Sequence, residues 1–309
     1  MRLPVLLGPT AVGKTELAIR VASRLDAEIV SADSRQVYRL LDIGTAKPTR
    51  EELDTVTHHM IDVVDPDQPF GAGQYGRAAI EVIEKLWSGG RIAIVVGGSG
   101  LYLRALLEGL FSAPPVDATL RKEIIDLARE KGTVFLHERL KIVDPEAARR
   151  IHPNDLQRIS RAIEVYEQTG TPISLLQKSA GGGPFEPLYI GLWRGRAELN
   201  GRIERRVERM VELGFAEEVE GLLNLGYQPS LNSFRAVGYR EMVEYVLKRR
   251  TLGESIARTA KNTRALARRQ LTWFKQLKDV EWVDLSEYGE KEALKTVRNL
   301  IEQESRGGF

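Results

Sequence analysis

The sequence predicts an α/β fold, a parallel sheet flanked by helices with an all-helical insertion domain in its middle. Two observations carry this. Short apolar runs alternate with helical periodicity at both ends of the 309-residue chain, and the middle shows helical periodicity alone. A third sets the type of sheet. Gly8 to Thr15 reads GPTAVGKT and fills every fixed position of GxxxxGK[ST], after an apolar run and before a helical one, as in P-loop NTPase-like folds.

Taken in order, Leu3 to Leu7 is a short apolar run that stops at Gly8, as a buried parallel strand does. Thr15 to Leu25 then places Leu17, Ala18, Val21, Ala22 and Leu25 at helical spacing. Ala27 to Ser31 reads as a second strand, ending at Asp33. His58 to Val64 reads as a third, and Arg91 to Val96 as a fourth that stops at Gly97-Gly98. Tyr75 to Trp87 is an amphipathic helix between them. From Asp117 to Lys178 the periodic apolar positions are Ile124, Leu127, Phe135, Leu136, Leu140, Ile159, Ile163 and Val165. Ala180-Gly-Gly-Gly-Pro184 is a flexible exit, and Leu188 to Trp193 resumes the sheet. The chain is then helical to about Lys278, followed by a short strand, Val280 to Asp284, and a last helix. The catalytic core is therefore expected to be discontinuous, residues 1–115 and 186–309, around an insertion at 116–185. Trp193 and Trp282 lie in apolar runs and are expected in the core.

The chain has no cysteine, which excludes disulfides, thiolate nucleophiles and Cys-ligated metals and fits a reducing compartment. No apolar run approaches the ~20 residues needed to span a bilayer. The first residues lead straight into the glycine loop and leave no room for a signal peptide. The expectation is a cytoplasmic monomer with no membrane partner. Net charge is only +2, yet residues 235–278 hold twelve Lys or Arg against three acids. Such a local excess is the footprint of a polyanion partner. At ~100° per residue from Glu254 to Lys278, Arg258, Lys261, Arg264, Arg268, Arg269 and Lys275 share one arc, and Ile256, Leu266, Trp273, Phe274 and Leu277 share the opposite side. A solvated helix face normally mixes signs; this one nearly lacks acids.

The glycine loop is a phosphate cradle. Its backbone N–H groups converge on phosphate oxygens at a helix start, Lys14 adds a point charge, and the Thr15 hydroxyl is placed to meet Mg²⁺. NTP hydrolysis or kinase action wants a metal-holding carboxylate at a strand end. Val95-Val96-Gly97-Gly98 offers none, and the acids of Met60 to Asp65 are scattered. Asp33, just past the second strand, falls on the edge of the sheet where ligands sit. It is either a proton acceptor or metal neighbour there, or a cap for a following helix. His58-His59 has no third ligand at suitable spacing, so it reads as a loop or strand-edge pair. His137 reads as structural. In the His152-Pro-Asn-Asp155 turn, Asn154 or Asp155 is expected to cap the next helix.

GPTAVGKT at 8–15, DSRQVY at 33–38, DIGTAKP at 42–48, VVGGSGLYL at 95–103, RRIHPNDLQRISRAIE at 149–164, AVGYRE at 236–241 and RRQLTWF at 268–274 occur in this order. Together they resemble the tRNA dimethylallyltransferases, also called tRNA isopentenyltransferases, of bacterial type, from the first strand to about Phe274. The resemblance implies transfer of a dimethylallyl group from dimethylallyl diphosphate to N6 of the adenosine just 3′ of the anticodon, position 37. It implies that Gly8, Pro9, Thr10, Ala11, Val12, Gly13, Lys14 and Thr15 hold the donor's diphosphate rather than ATP. Asp33 becomes the general base, Lys14 and Arg206 contact the leaving group, and Thr15 meets Mg²⁺ together with diphosphate and water. Ser99 stands where relatives commonly carry Thr and keeps a hydroxyl there. Contacts to the tRNA anticodon stem-loop carry over to Asp33, Ser34, Arg35, Gln36, Ser99 and Arg121. They carry over also to Gln157, Arg158, Ile159, Ser160 and Arg161 on the insertion. Arg235, Ala236, Val237, Gly238, Tyr239 and Arg240 form a further stretch, and Arg268, Arg269, Gln270, Thr272, Trp273 and Lys275 the last. Arg158 and Arg161, three apart on one helix face, would act as a phosphate clamp. The insertion would be a mobile arm hinged near Pro114-Pro115 and Gly181 to Gly183. Alternatives are an adenylate isopentenyltransferase acting on free AMP, ADP or ATP, a P-loop kinase of a nucleotide or small molecule, and a non-catalytic RNA-binding ATPase.

Overall fold

The computed structural model describes residues 2–110, 117–179 and 181–306. The chain divides into two compact units, Met1–Leu107 with Pro184–Phe309, and Glu108–Gly183. In the first, β1 (Leu3–Leu7), α1 (Lys14–Leu25), β2 (Ala27–Ala32), α2 (Arg50–Thr55), β3 (His58–His59), α3 (Ala72–Ser88), β4 (Ile92–Gly97) and α4 (Gly100–Leu107) come first. The second unit holds α5 (Ala118–Lys131), α6 (Thr133–Val143), α7 (Pro145–Arg150), α8 (Leu156–Thr169) and α9 (Ile173–Lys178). The first unit then resumes with β5 (Pro187–Trp193), α10 (Arg196–Glu212), α11 (Phe215–Asn224), α12 (Tyr239–Val246), α13 (Leu252–Phe274), β6 (Val280–Asp284) and α14 (Gly289–Arg306).

The sheet has six strands in the order β3-β2-β4-β1-β5-β6, every pair parallel. Central β1 is fully buried, Leu3, Val5 and Leu7 each at 0% exposure, as a strand covered on both faces must be. Each such side chain contributes about 1.5–3 kcal/mol of burial. One core layer joins the sheet to α1 and α14 through Leu17, Ala18, Val21, Ile190, Leu192, Val283, Val297 and Ile301.

Three expectations are corrected. The third strand spans His58–His59 only, because Met60 and Asp62 adopt left-handed backbone (φ 64 and 54) and break the extended path. Trp193 and Trp282 are 39% and 38% exposed rather than core. The basic helix runs from Leu252 to Phe274, started by a reciprocal cap in which Thr251 Oγ1 accepts from Glu254 N (3.3 Å) and Glu254 Oε2 from Thr251 N (2.8 Å).

The helical unit has its own core of Ile124, Leu136, Leu140, Ile159, Ile163 and Val165. Phe135 is 42% exposed, because α6 buries the neighbouring face of Leu136, His137 and Leu140. Buried Asp144 starts α7 by accepting from Ala147 N (2.9 Å) and holds α9 through Ser174 N (2.9 Å) and Ser174 Oγ (2.7 Å). Asp155 caps α8 by accepting from Arg158 N (3.1 Å). Gly181 and Gly182 are exposed with open space around them; Pro114-Pro115 lies outside the described residues. Among the described residues no helix is long and apolar enough to cross a membrane.

Candidate active site

Strand register sets the site. Leu7 of β1 and Ala32 of β2 both pair with Gly97 of β4, so Gly8, Gly98 and Asp33 leave the sheet at one level. At ~4.8 Å per strand, Asp33 stands about 10 Å across the sheet from the glycine loop. The tip of β4 has no room for an acid at Gly97, where a Cβ would lie 2.2 Å from Ala32 O; a Cβ on Gly98 would meet the flexible end of Gln270, 2.4 Å from Nε2. The carboxylate at this edge therefore comes from β2.

The loop enters α1 through Gly13, whose φ of 110 is left-handed. Lys14 Nζ donates to Gly8 O (2.9 Å) and Pro9 O (2.8 Å). Burial pulls the Lys14 ammonium down to about 7; Asp33 opposes that and Arg206 adds to it. Burial likewise lowers Arg206, with Asp33 opposing and Arg202 adding. The loop is braced from outside. Arg194 Nε donates to Val12 O (2.9 Å), Arg202 Nε to Ala11 O (3.0 Å) and Arg206 Nη1 to Thr10 Oγ1 (3.4 Å). Gln270 Oε1 accepts from Thr10 N (2.8 Å) while its Nε2 donates to Gly98 O (2.9 Å), so α13 ties the loop to the β4 tip.

Two cavities meet here. One of about 950 Å³ takes in Thr10, Gly13, Lys14, Thr15, Asp33, Arg202, Arg206 and Arg209. The other, about 550 Å³, takes in Asp33, Ser34, Arg35, Ser99, Tyr102, Arg235, Ala236, Val237, Arg269 and Trp273. Thr10, Asp33, Thr45, Gly98, Arg206, Met210 and Gln270 line both. Asp33 is thus common to a glycine-loop side and an aromatic side. It caps no helix: Oδ1 accepts from Arg35 N (2.8 Å) in a tight turn. Ser99 Oγ accepts from Ser34 N (2.9 Å), joining the β4 and β2 loops. Tyr75 and Tyr102 stack at 4.1 Å, and their buried hydroxyls have no hydrogen-bond partner among the described residues. Burial pushes both phenols above the usual range, and Asp33 adds to it.

The other expected RNA residues divide. Arg158, Arg235, Arg240, Arg268, Arg269, Thr272 and Lys275 are exposed, as is Gln157. Ile159, Ser160, Ala236, Gly238 and Tyr239 are buried, and the Tyr239 hydroxyl donates to Glu218 Oε1 (2.5 Å) inside the first unit. These residues are packed inside the protein rather than presented to solvent. Gln36 is engaged with Ser31 Oγ (3.2 Å) and Ala46 O (3.1 Å). Arg121 and Arg161 both bond Glu164 Oε2 (2.7 and 3.1 Å), a carboxylate at 0% exposure, so the expected Arg158–Arg161 clamp is not assembled as a pair. Arg264 is drawn to Glu204 (2.7 Å), and Leu266 and Trp273 face the second cavity instead of the core.

Sequence reasoning missed Arg194, Arg202, Arg209, Gln270 as a brace, and Tyr102. A signal existed for one group: Arg202, Arg206 and Arg209 recur at i, i+4 and i+7, one helical stripe. Three histidines make local hydrogen-bond contacts. His59 Nε2 lies 2.7 Å from Glu28, His58 Nδ1 2.7 Å from Val56 O, and His137 Nε2 3.0 Å from Ala148 O. Among the described residues no group of three or more His, Cys, Asp or Glu could hold a metal.

Replacing Gln270 with Ala removes two partly buried hydrogen bonds, each worth about 1 kcal/mol. The expected result is a rise of about tenfold in KM for a phosphate-bearing ligand of the loop, with RNA affinity changed less. Steady-state kinetics with each substrate varied in turn checks it.

A family model described as IPP transferase matches residues 36–277 of the chain. The tRNA dimethylallyltransferase 2 of Geotalea uraniireducens is 48% identical over 289 residues, 93% of each chain. The crystal structure of the tRNA isopentenylpyrophosphate transferase from Bacillus halodurans is 37% identical, with a TM-score of 0.73 over 99% of this chain and 97% of that one. A eukaryotic dimethylallyltransferase caught acting on tRNA has a TM-score of 0.78 at 26% identity, covering 97% of this chain and 79% of that one.

Proposed function

Since this chain belongs to the IPP transferase family, we propose that it transfers a dimethylallyl group from dimethylallyl diphosphate to N6 of the adenosine 3′-adjacent to the anticodon, position 37, of tRNA. The observation that carries the reading is the placement of Asp33 on both cavities, one holding the phosphate cradle and the other walled by Tyr102 and Trp273.

The chemistry rests on that placement. The exocyclic amine of adenine is a weak nucleophile because its lone pair is delocalised into the ring. N6 attacks C1 of the donor as the C1–O bond to diphosphate breaks, and the N6 proton passes to the Asp33 carboxylate. Negative charge grows on the departing diphosphate, where loop N–H groups, Lys14 and Arg206 stabilise it. Thr15 lines the cradle beside Lys14, so a hydroxyl, diphosphate oxygens and water form a donor set that suits Mg²⁺ without a carboxylate cluster. Bound there, Mg²⁺ would supply further neutralisation of the leaving group. The target base must leave its stack to reach Asp33, which an anticodon loop allows and a duplex opposes. The reading implies a cytoplasmic enzyme working as a monomer, with the helical unit gripping the anticodon stem.

A kinase or ATPase reading lacks its metal-holding acid at the β4 tip, where Gly97 packs directly on the Ala32 backbone. An adenylate isopentenyltransferase has no use for a long basic helix face. The test is transfer of label from dimethylallyl diphosphate to unmodified tRNA, with AMP and γ-labelled ATP as parallel arms. Label in AMP but not tRNA, or γ-phosphate transfer alone, overturns the reading.

A further inference from the structure

The two tryptophans that leave the core line a groove of their own. Register explains why they meet. Gly191 of β5 pairs with Trp282 of β6, and Trp193 with Asp284, so Trp193 and Trp282 are diagonal neighbours on one face of the sheet. Gly191 has no side chain, and the Trp282 ring lies across it; a Cβ there would sit 2.6 Å from the indole. The opposite face of the same strands, Leu188, Ile190, Leu192 and Val283, is core. The result is an aromatic floor left 39% and 38% exposed.

The walls are cationic. Arg196 of α10 and Arg268 and Lys275 from the end of α13 line this groove of about 490 Å³, and no carboxylate lines it. Arg264 and Arg194, also in the lining, are held by Glu204 and Glu198. Arg196, Arg268 and Lys275 have no ion-pair partner among the described residues and are exposed. Flat aromatic faces beside unpaired cations suit a nucleobase with its phosphate: the base stacks on indole and the phosphate takes the charge. The groove also adjoins the site. Arg268 faces it while the next residue, Arg269, faces the cavity of Asp33 and Trp273. A helix is only about 10–12 Å across, so one RNA strand crossing α13 reaches both sides.

We propose that this groove is a second RNA subsite, which seats one unpaired nucleotide of the RNA substrate other than the reacting base. The base stacks on Trp193 and Trp282, and Arg196, Arg268 and Lys275 hold its phosphate. The inference rests on the tRNA reading above and adds an anchor to it, remote from the reacting atoms.

The test measures binding apart from chemistry. Fluorescence anisotropy with unmodified tRNA, across a salt series, compares the native chain with Trp193→Ala, Trp193→Phe and Arg196→Ala. Trp193→Ala should weaken RNA binding about tenfold, as loss of one stacked base does, and Trp193→Phe should restore most of it. Arg196→Ala should lower the slope of log K against log salt by about 0.7, one phosphate contact on a single strand. The transfer rate at saturating RNA should stay at the native value for all three. Unchanged affinity and slope in variants with native circular dichroism overturn the subsite. So does tight binding of AMP or UMP alone that Trp193→Ala abolishes, since the groove then serves a free nucleotide. A native chain that binds no tRNA at all overturns the functional reading first, and the subsite with it.

Discussion

Asp33→Asn is expected to slow prenyl transfer by about 10²–10⁴-fold at saturating substrates, the range that a positioned general base supplies. Asparagine keeps a side-chain oxygen for Arg35 N, so the turn that Asp33 Oδ1 holds (2.8 Å) is preserved while basicity is lost. At about 1.36 kcal/mol per decade, the loss corresponds to roughly 3–5 kcal/mol of transition-state stabilisation. RNA affinity should not fall, because the variant removes a negative charge that repels phosphate. Single-turnover rates and equilibrium binding, measured on the same preparation, separate the two effects. Native activity in this variant would remove Asp33 from the proton transfer.

Lys14→Ala is expected to lower kcat/KM for the prenyl donor by about 10²–10³-fold, comparable to deleting one aimed donor at a developing oxyanion. A pH signature accompanies it. Burial holds the Lys14 ammonium at about 7. A bound diphosphate raises that value, so the bound form keeps a proton that the free form has lost. Donor affinity is therefore full below about 7 and falls as pH rises from there toward the bound-state value, with up to one proton taken up per donor in that window. Calorimetric titration at pH 8 in two buffers of different ionisation heat reads the uptake. It should vanish in Lys14→Ala; equal heats for the native chain would show that Lys14 is already charged.

Much of the site was legible because its chemistry is local in sequence. The glycine loop announces itself within eight residues, and Asp33 stands out as the acid immediately beyond the second strand. The bracing of the loop was not legible. Gln270 meets Thr10 across 260 residues of chain, and Arg194 meets Val12 across 182. No spacing rule spans such distances. The charged helix faces misled for a related reason: a periodic pattern shows which side is basic, but Glu164 and Glu204 decide which arginines are left free.

By itself the sequence determined the alternation of strands and helices, the all-helical middle, the glycine loop ahead of α1 and the acid just past β2. Each depends on residues a few positions apart, whose covalent geometry sets what they do. Tertiary structure alone decided that Trp193 and Trp282 face a groove, that Leu266 and Trp273 wall a cavity, and that the Arg158–Arg161 clamp is not assembled as a pair. Apolar periodicity says that a surface seeks cover, whereas cover depends on which distant element the sheet register brings against it.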